Sequence, residues 1–300
     1  MNSKDKLKKW IKHTVDTELY GNTIRVDVAK LVSSVYATIL KELKKSTFVY
    51  SKAQYKRLIE AIQEVLKEYK IDYTNVLERQ IGKISEYESN WVKDFMAELG
   101  KDIIVPATII SSIKFSPIAL QSNYKELVSS SADRIFRDID SSLRTSYITK
   151  TPVSTIIESI PNLTEKTLRT VDADVETFNT TSFSLTDYLV FKHNKEQVYW
   201  SSILDSKTCN ECAYRHGQLY SLKEIEPPPL HHHCRCDLVP QSLGPLEYNT
   251  YSEWFEDLEE QEKKDVLGPG RYQLYKSGLG IDRFINDGTF ISIKSLKDLL

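Results

Sequence analysis

Apolar residues recur every three or four positions along most of this chain, the period of a helix with one buried face. Val28, Leu31, Val32, Val35, Ile39 and Leu43 form a first stripe. Leu58, Ala61, Ile62, Val65 and Tyr69 form a second, and Leu77, Ile81, Ile84, Tyr87, Trp91, Phe95 and Leu99 a third. Ser51 followed by Gln54 reads as a capping box opening the second stripe, and Gly100 as the stop after the third. Tyr87 and Trp91 read as core, not as a platform for stacking bases. Three such stripes with short connections predict an antiparallel helical bundle over 1–116. Ahead of them, 3–20 is a short basic amphipathic segment, with Lys4, Lys6, Lys8, Lys9 and Lys12 around Leu7, Trp10 and Ile11. A solvated lysine face accounts for it, with docking on a partner or on nucleic acid as the alternative. His13, a polar residue on that segment, receives no role.

Prolines punctuate the region after the third stripe, because the residue before a proline is pushed out of the α region. Val105-Pro106 and Ser116-Pro117 place a boundary near 116. A long helix is expected next, with Leu120, Tyr124, Leu127, Ser131, Ile135, Ile139 and Leu143 on its buried side. Thr151-Pro152 and Ile160-Pro161 bracket a short helix with Pro152 as its first residue. Thr164, with Glu165 in the first turn, is expected to cap another helix that runs towards Val190 and carries Arg169, Thr170 and Asn179. Arg169 reads either as a partner contact or brace for the cysteine module, or as an ordinary surface salt-bridging arginine. The span 117–195 is thus a long-helix region.

Near 195 the period falls to two. Gln197 through Leu204 is β-branched and aromatic and ends in the turn signal Asp205-Ser206; 217–222 reads as its hairpin partner. Past Pro240 an acidic run, 253–262, reads as helix. Gly268-Pro269-Gly270 is then a turn and not a phosphate loop, because the Lys-Ser/Thr ending is missing, and a short helix comes next around 271–277. The fold class expected is mainly α: an N-terminal bundle and long helices, then a small β-hairpin module with a short helical C-terminal region over 196–300.

Composition narrows the function classes. The formal net charge is −2, so no overall basic field recruits nucleic acid. No run of eighteen apolar residues is present, and the first residues lack a secretory signal's apolar core. A reducing cytoplasm is the expected place of synthesis and assembly.

The chemistry gathers in one window. All four cysteines fall between 209 and 236, with four of the six histidines, three of them adjacent. Cys209-x2-Cys212 and His231-x2-Cys234 are two knuckles, each bringing its first and last residue to one side of a tight turn. Thiolate with imidazole suits Zn²⁺, and Cys209, Cys212, His231 and Cys234 are the expected ligands, with Cys236 the rival for fourth place. His232 and His233 read as solvated or supporting. A full tetrahedral set leaves no open position for substrate, so the expected site is structural and the protein not an enzyme. Paired disulfides are the alternative, disfavoured in a reducing compartment. Arg235 is expected to point away from the ion. Asp205 reads as an acceptor of backbone N–H groups in the knuckle turn, not as a catalytic carboxylate.

A family resemblance rests on the same residues. Trp200-x4-Asp205-Ser206-Lys207-Thr208-Cys209-x2-Cys212, then His216-Gly217-Gln218, then Pro228-Pro229-Leu230-His231-x2-Cys234-Arg235-Cys236 resembles the phage head morphogenesis family, minor head proteins similar to protein F of phage Mu. Arg169-Thr170 with Asn179, and Leu267-Gly268-Pro269-Gly270-Arg271-Tyr272, resemble flanking segments, so the likeness spans roughly 118–300. Lys207, His216, His232 and Val171 depart from the residues usual in the family. The resemblance implies a structural minor head protein of a tailed phage or prophage. Such a protein associates with the portal and acts in procapsid assembly, with roles in packaging or ejection. Scaffolding and major capsid proteins are the further partners implied, and the virion head near the portal the location. Two other readings stand beside it. A zinc-ribbon nucleic-acid binder would need a basic face at the knuckles, where Glu211, Glu224, Glu226 and Asp237 lie instead, leaving only weak contact of packaged DNA with the N-terminal lysines. A zinc hydrolase or nuclease would need His231, His232 and His233 to supply ligands and a base, which adjacent residues cannot do for one ion.

Overall fold

The computed structural model describes residues 3–46, 51–116, 123–204, 208–231, 234–243, 250–286, 289–290 and 292–297. Helices dominate: α1 (Ser3–Lys44), α2 (Lys52–Glu98), α3 (Ile109–Phe115), α4 (Tyr124–Thr149) and α5 (Val153–His193). Then come β1 (Gln197–Ser202), α6 (Asn210–Arg215), β2 (Leu219–Ser221) and β3 (Cys236–Pro240). The remainder is α7 (Tyr251–Glu256), α8 (Glu260–Lys276), the two-residue strands β4 (Ile285–Asn286) and β5 (Thr289–Phe290), and α9 (Ile293–Lys297). The mainly α class with a small β module is as the periodicity predicts.

Several boundaries differ. The basic segment and the first stripe are one helix, α1. The second and third stripes are also one helix, α2, because nothing between Tyr69 and Leu77 breaks it and buried Tyr73 carries the apolar face across. Helix α5 likewise runs through Pro161. The proline ring lies on an exposed face, so water can meet the carbonyl that it leaves without a donor. Thr164 is therefore interior and not a cap; its hydroxyl donates to the Ile160 carbonyl at 2.8 Å. Tyr87 is exposed, not core. The capping hydrogen bond from Gln54 N–H to Ser51 Oγ is present at 3.2 Å. Gly100 ends α2 with φ +82°, a conformation that costs other residues more than glycine.

By compactness the chain divides into two units, one of 1–15, 88–109 and 183–300, the other of 16–87 and 110–182. The second unit is helical. Its core joins Val28, Val32 and Ile39 of α1, Ile62, Tyr73 and Leu77 of α2, Ile135, Ile139 and Leu143 of α4, and Val171, Val175 and Phe178 of α5. On α4, Tyr124, Leu127, Ser131, Ile135, Ile139 and Leu143 are buried as expected, whereas Leu120 lies outside the described residues. Polar partners fix the register: Tyr36 Oη lies 2.8 Å from Thr167 Oγ1, and Tyr69 Oη 3.1 Å from Ser131 Oγ.

The first unit contains the sheet, in the order β2-β1-β3 with both pairings antiparallel. The expected hairpin of β1 and β2 is present, and β3 is an addition to it. It pairs along the other edge of β1, with Trp200 opposite Leu238 and Ser202 opposite Cys236. Burial alternates along β1, so Val198, Trp200 and Ser202 face inward. Beyond the sheet, Tyr251, Trp254 and Phe255 of α7 pack with Leu267 and Leu274 of α8, Phe284, and Leu296 of α9. The acidic run thus ends α7 and begins α8. Gly268-Pro269-Gly270 is a kink within α8, with Gly268 at φ +71°.

Candidate metal centre

The first knuckle is the connection between β1 and β2, and a short helix forms it. Cys209 is the N-cap of α6 in extended backbone, and its Sγ accepts from Cys212 N–H at 3.4 Å. A capping residue and one a turn into its helix lie on the same side, which is how Cys-x2-Cys brings two sulfurs together. The return to β2 is clamped to β1: Gly217 N–H donates to Trp200 O at 2.8 Å, and Trp200 N–H to Gln218 O at 3.0 Å. His216 Nδ1 accepts from Ser202 N–H at 2.9 Å, so its hydrogen sits on Nε2, and burial holds its pKa below the ordinary imidazole value. The second knuckle closes where Cys234 N–H donates to His231 O at 3.2 Å, and β3 then begins at Cys236.

These two turns bring all five predicted donors together. His231 Nε2 is 3.0 Å from Cys209 Sγ and 3.3 Å from Cys212 Sγ, and Cys212 Sγ is 3.7 Å from Cys234 Sγ. The donors fall into two sets, Cys209 with Cys212 and His231, and Cys212 with Cys234 and Cys236, each within 4.8 Å, so Cys212 is common to both. Bonds of about 2.0–2.3 Å in a tetrahedron separate the donors by about 3.3–3.8 Å; the Cys212–His231 and Cys212–Cys234 separations lie in that range, and Cys209–His231 is shorter. None of the four cysteines is in a disulfide. A sulfur–sulfur separation of 3.7 Å is far beyond the bonded value of about 2.0 Å. The cluster could hold one metal ion.

Electrostatics agree with the geometry. Hydrogen bonding from Cys212 pulls the Cys209 thiol down to about 4, and the same neighbour pulls Cys234 down to about 2. Cys212 moves the opposite way, raised by its sulfur neighbours Cys209, Cys234 and Cys236. Sulfurs this close cannot all be thiolates unless a cation lies among them, and a bound dication would remove that conflict.

Comparison with known families addresses the same stretch. A family profile described as "Phage Mu protein F like protein" matches residues 153–239, from the start of α5 to β3. The match supports a likeness to the Mu F-like head morphogenesis family over residues 153–239. Comparisons with curated proteins and with solved structures give no match. The Mu F-like segment contains every donor of the cluster.

Within the Mu F-like segment, two of the residues that carried the resemblance are now placed. Arg169 is an exposed arginine paired with Glu165 one turn earlier, the surface salt bridge of the two readings. Asn179 is buried, and its Nδ2 donates to Thr17 O at 2.9 Å. Arg235 lines one cleft with Cys209, Cys212, His231 and Cys236. Asp205, His232 and His233 lie outside the described residues.

Asp237 does not add to an acidic face. Its Oδ2 accepts from Trp10 Nε1–H and Thr14 Oγ1–H, both at 2.8 Å, and its Oδ1 from Leu238 N–H at 2.8 Å. His13, on the same stretch of α1, also has a role that its sequence position hid. It is buried and stacks on Trp91, with centroids 3.4 Å apart and planes 4° apart. Its Nε2 lies 2.8 and 2.9 Å from the two carboxylate oxygens of Glu88, which is also buried. Asp187 of α5 is buried too; desolvation, then the Glu88 charge, raises its pKa well above the ordinary value. The only sequence signal for this group is four polar residues, His13, Glu88, Asp187 and Asp237, on otherwise apolar faces of four elements.

Proposed function

We propose that this protein is a structural component of a tailed-phage or prophage head, docked at the portal during procapsid assembly. Its Cys/His module is held together by one structural Zn²⁺. The observation that carries the proposal is the coincidence of the Mu F-like segment with the five-donor cluster, since the residues that define the family likeness are those that would hold the ion. Zn²⁺ suits the donors because thiolate and imidazole are its usual ligands, and it would act there by fixing both knuckles, not by activating water. Cys209 and Cys212 would hold it from the cap and first turn of α6, His231 and Cys234 from the second knuckle. Portal and capsid proteins are the partners that this reading implies. Among the described residues no helix is long and apolar enough to cross a membrane.

Proteomics of heads purified from the same genome tests the proposal. The protein should be present at low copy and should co-purify with the portal after mild dissociation. Its absence from both procapsids and mature heads would refute the assignment.

A further inference from the structure

Two of the sulfurs are carried by α6, a helix of six residues and so too short to hold itself in place. We infer that α7 and the core behind it are the back wall of the metal centre: they seat the first turn of α6 so that Cys209 and Cys212 reach the ion, and their own docking depends on that ion. The inference rests on the metal-binding reading of the cluster.

Successive residues of a helix are about 100° apart around its axis, so neighbours serve different partners. On α6 that division falls between Cys212 and Ala213. Cys212 is buried and belongs to both sets of donors. Ala213 is fully buried in another core, with Tyr251, Trp254 and Phe255 of α7 and Leu267 and Leu274 of α8. An alanine there lets α6 pack closely on that core, where a larger side chain would push the helix away.

The two ends of α6 are held from different sides. From Cys212 onward it hangs on β1: Ser202 Oγ donates to Cys212 O at 2.7 Å, and Ser202 N–H donates to Nδ1 of the C-cap His216 at 2.9 Å. The first turn is held by α7, where Tyr251 Oη donates to Asn210 Oδ1 at 3.1 Å. Asn210 directly follows Cys209, the N-cap whose sulfur is one of the donors. Tyr251 is itself fixed: it is buried and opens α7, whose start is closed by the capping box of Thr250 and Glu253. A buried tyrosine hydroxyl needs a partner, so this bond specifies where α6 begins. Helix α7 lies beyond residue 239, so part of what shapes the site is outside the Mu F-like segment. Coupling of this kind is reciprocal: what α7 contributes to metal affinity, bound metal returns to the docking of α7.

The test uses the full chain with one Zn²⁺ bound, titrated against a chromogenic chelator, with hydrogen exchange followed along the chain. Removing zinc from wild type should lower protection over α6, α7 and α8 and leave α4 unchanged. Tyr251→Phe keeps the ring and loses one hydrogen bond, of about 1 kcal/mol, so zinc should bind about five-fold more weakly. Asn210→Ala should show a similar loss, and the double variant no more than either alone, because both changes remove the same contact. Tyr69→Phe gives up a comparable bond, with Ser131 of α4, and should bind zinc as wild type does. Unchanged zinc affinity in folded Tyr251→Phe, or unchanged protection over α7 and α8 after zinc removal, overturns the inference while the metal-binding reading stands. If Tyr251→Phe does not fold, the exchange measurement on wild type still decides. A folded wild-type chain that takes up no zinc fails the metal-binding reading itself.

Discussion

His13→Ala tests whether the buried group on α1, α2 and α5 is a structural anchor. His13 contacts both oxygens of Glu88, and the two residues are 5% and 1% exposed. Removing one partner of a buried pair leaves the other without compensation, which costs about 3–5 kcal/mol. Loss of the parallel stack on Trp91 adds about 1 kcal/mol. Domains of ordinary stability have about 5–15 kcal/mol in all, so the variant should unfold at a much lower urea midpoint with little change in slope. Glu88→Gln in the same background should recover part of the loss, because the buried group is then neutral. The pH dependence has a defined sign. Burial raises the Asp187 pKa above its ordinary 3.8, so the folded state binds that proton more tightly than the unfolded chain. Its contribution is complete below about 3.8 and is lost as pH rises through the folded value. Asp187→Asn should remove that decline, and the variant should gain on wild type towards alkaline pH. A cost below about 1 kcal/mol for His13→Ala, the level of an exposed pair, would refute the anchor.

Two further outcomes rest on local geometry. Pro161→Ala in α5 restores an N–H donor on an exposed helix face, where proline costs about 3 kcal/mol relative to alanine. The variant should gain about 1–3 kcal/mol in urea unfolding, the smaller figures allowing for the freer unfolded chain, and a loss would contradict the reading of α5 as one helix. Protein purified without added metal should contain one zinc per chain, and Cys209→Ser should lack it. Metal binding supplies on the order of 10 kcal/mol to small zinc modules, so this variant should also lose hydrogen-exchange protection over β1 and β3. Full protection in the metal-free variant would show that the ion does not organise the sheet.

That the cysteines and His231 would lie close together was legible because the signal is local. Cys209-x2-Cys212 and His231-x2-Cys234 name their own geometry, since each pair is closed by a single turn whatever surrounds it. The stripes on α1, α2 and α4 were legible for the same reason, as period alone places Val28, Ile62 and Ile135 inward. What failed were boundaries and long-range pairings. Nothing at Pro161 says that the packed residues on both sides, from Ile156 to Val175, outweigh a broken helical hydrogen bond. Nothing in Cys236-Asp237-Leu238-Val239-Pro240 names β1 as its partner, and the strand has too few residues to show a period.

β3 joins the two groups of buried chemistry in the first unit. Successive side chains on a strand point to opposite faces. Cys236 therefore turns towards Ser202, Cys212 and Cys234, and Asp237 turns the other way, to Trp10 and Thr14 of α1. Those two residues sit within one turn of His13, and Trp10 packs edge-on against Trp91, the ring on which His13 stacks. A one-residue slip of β3 against β1 would exchange the faces, putting a carboxylate among the sulfurs and a thiol opposite the indole N–H. Both sites thus specify the same register, one through sulfur and imidazole donors and the other through two hydrogen bonds to a carboxylate. The start of α1 and residues 183–239 of the Mu F-like segment are in this way parts of one structural unit, although most of the sequence separates them.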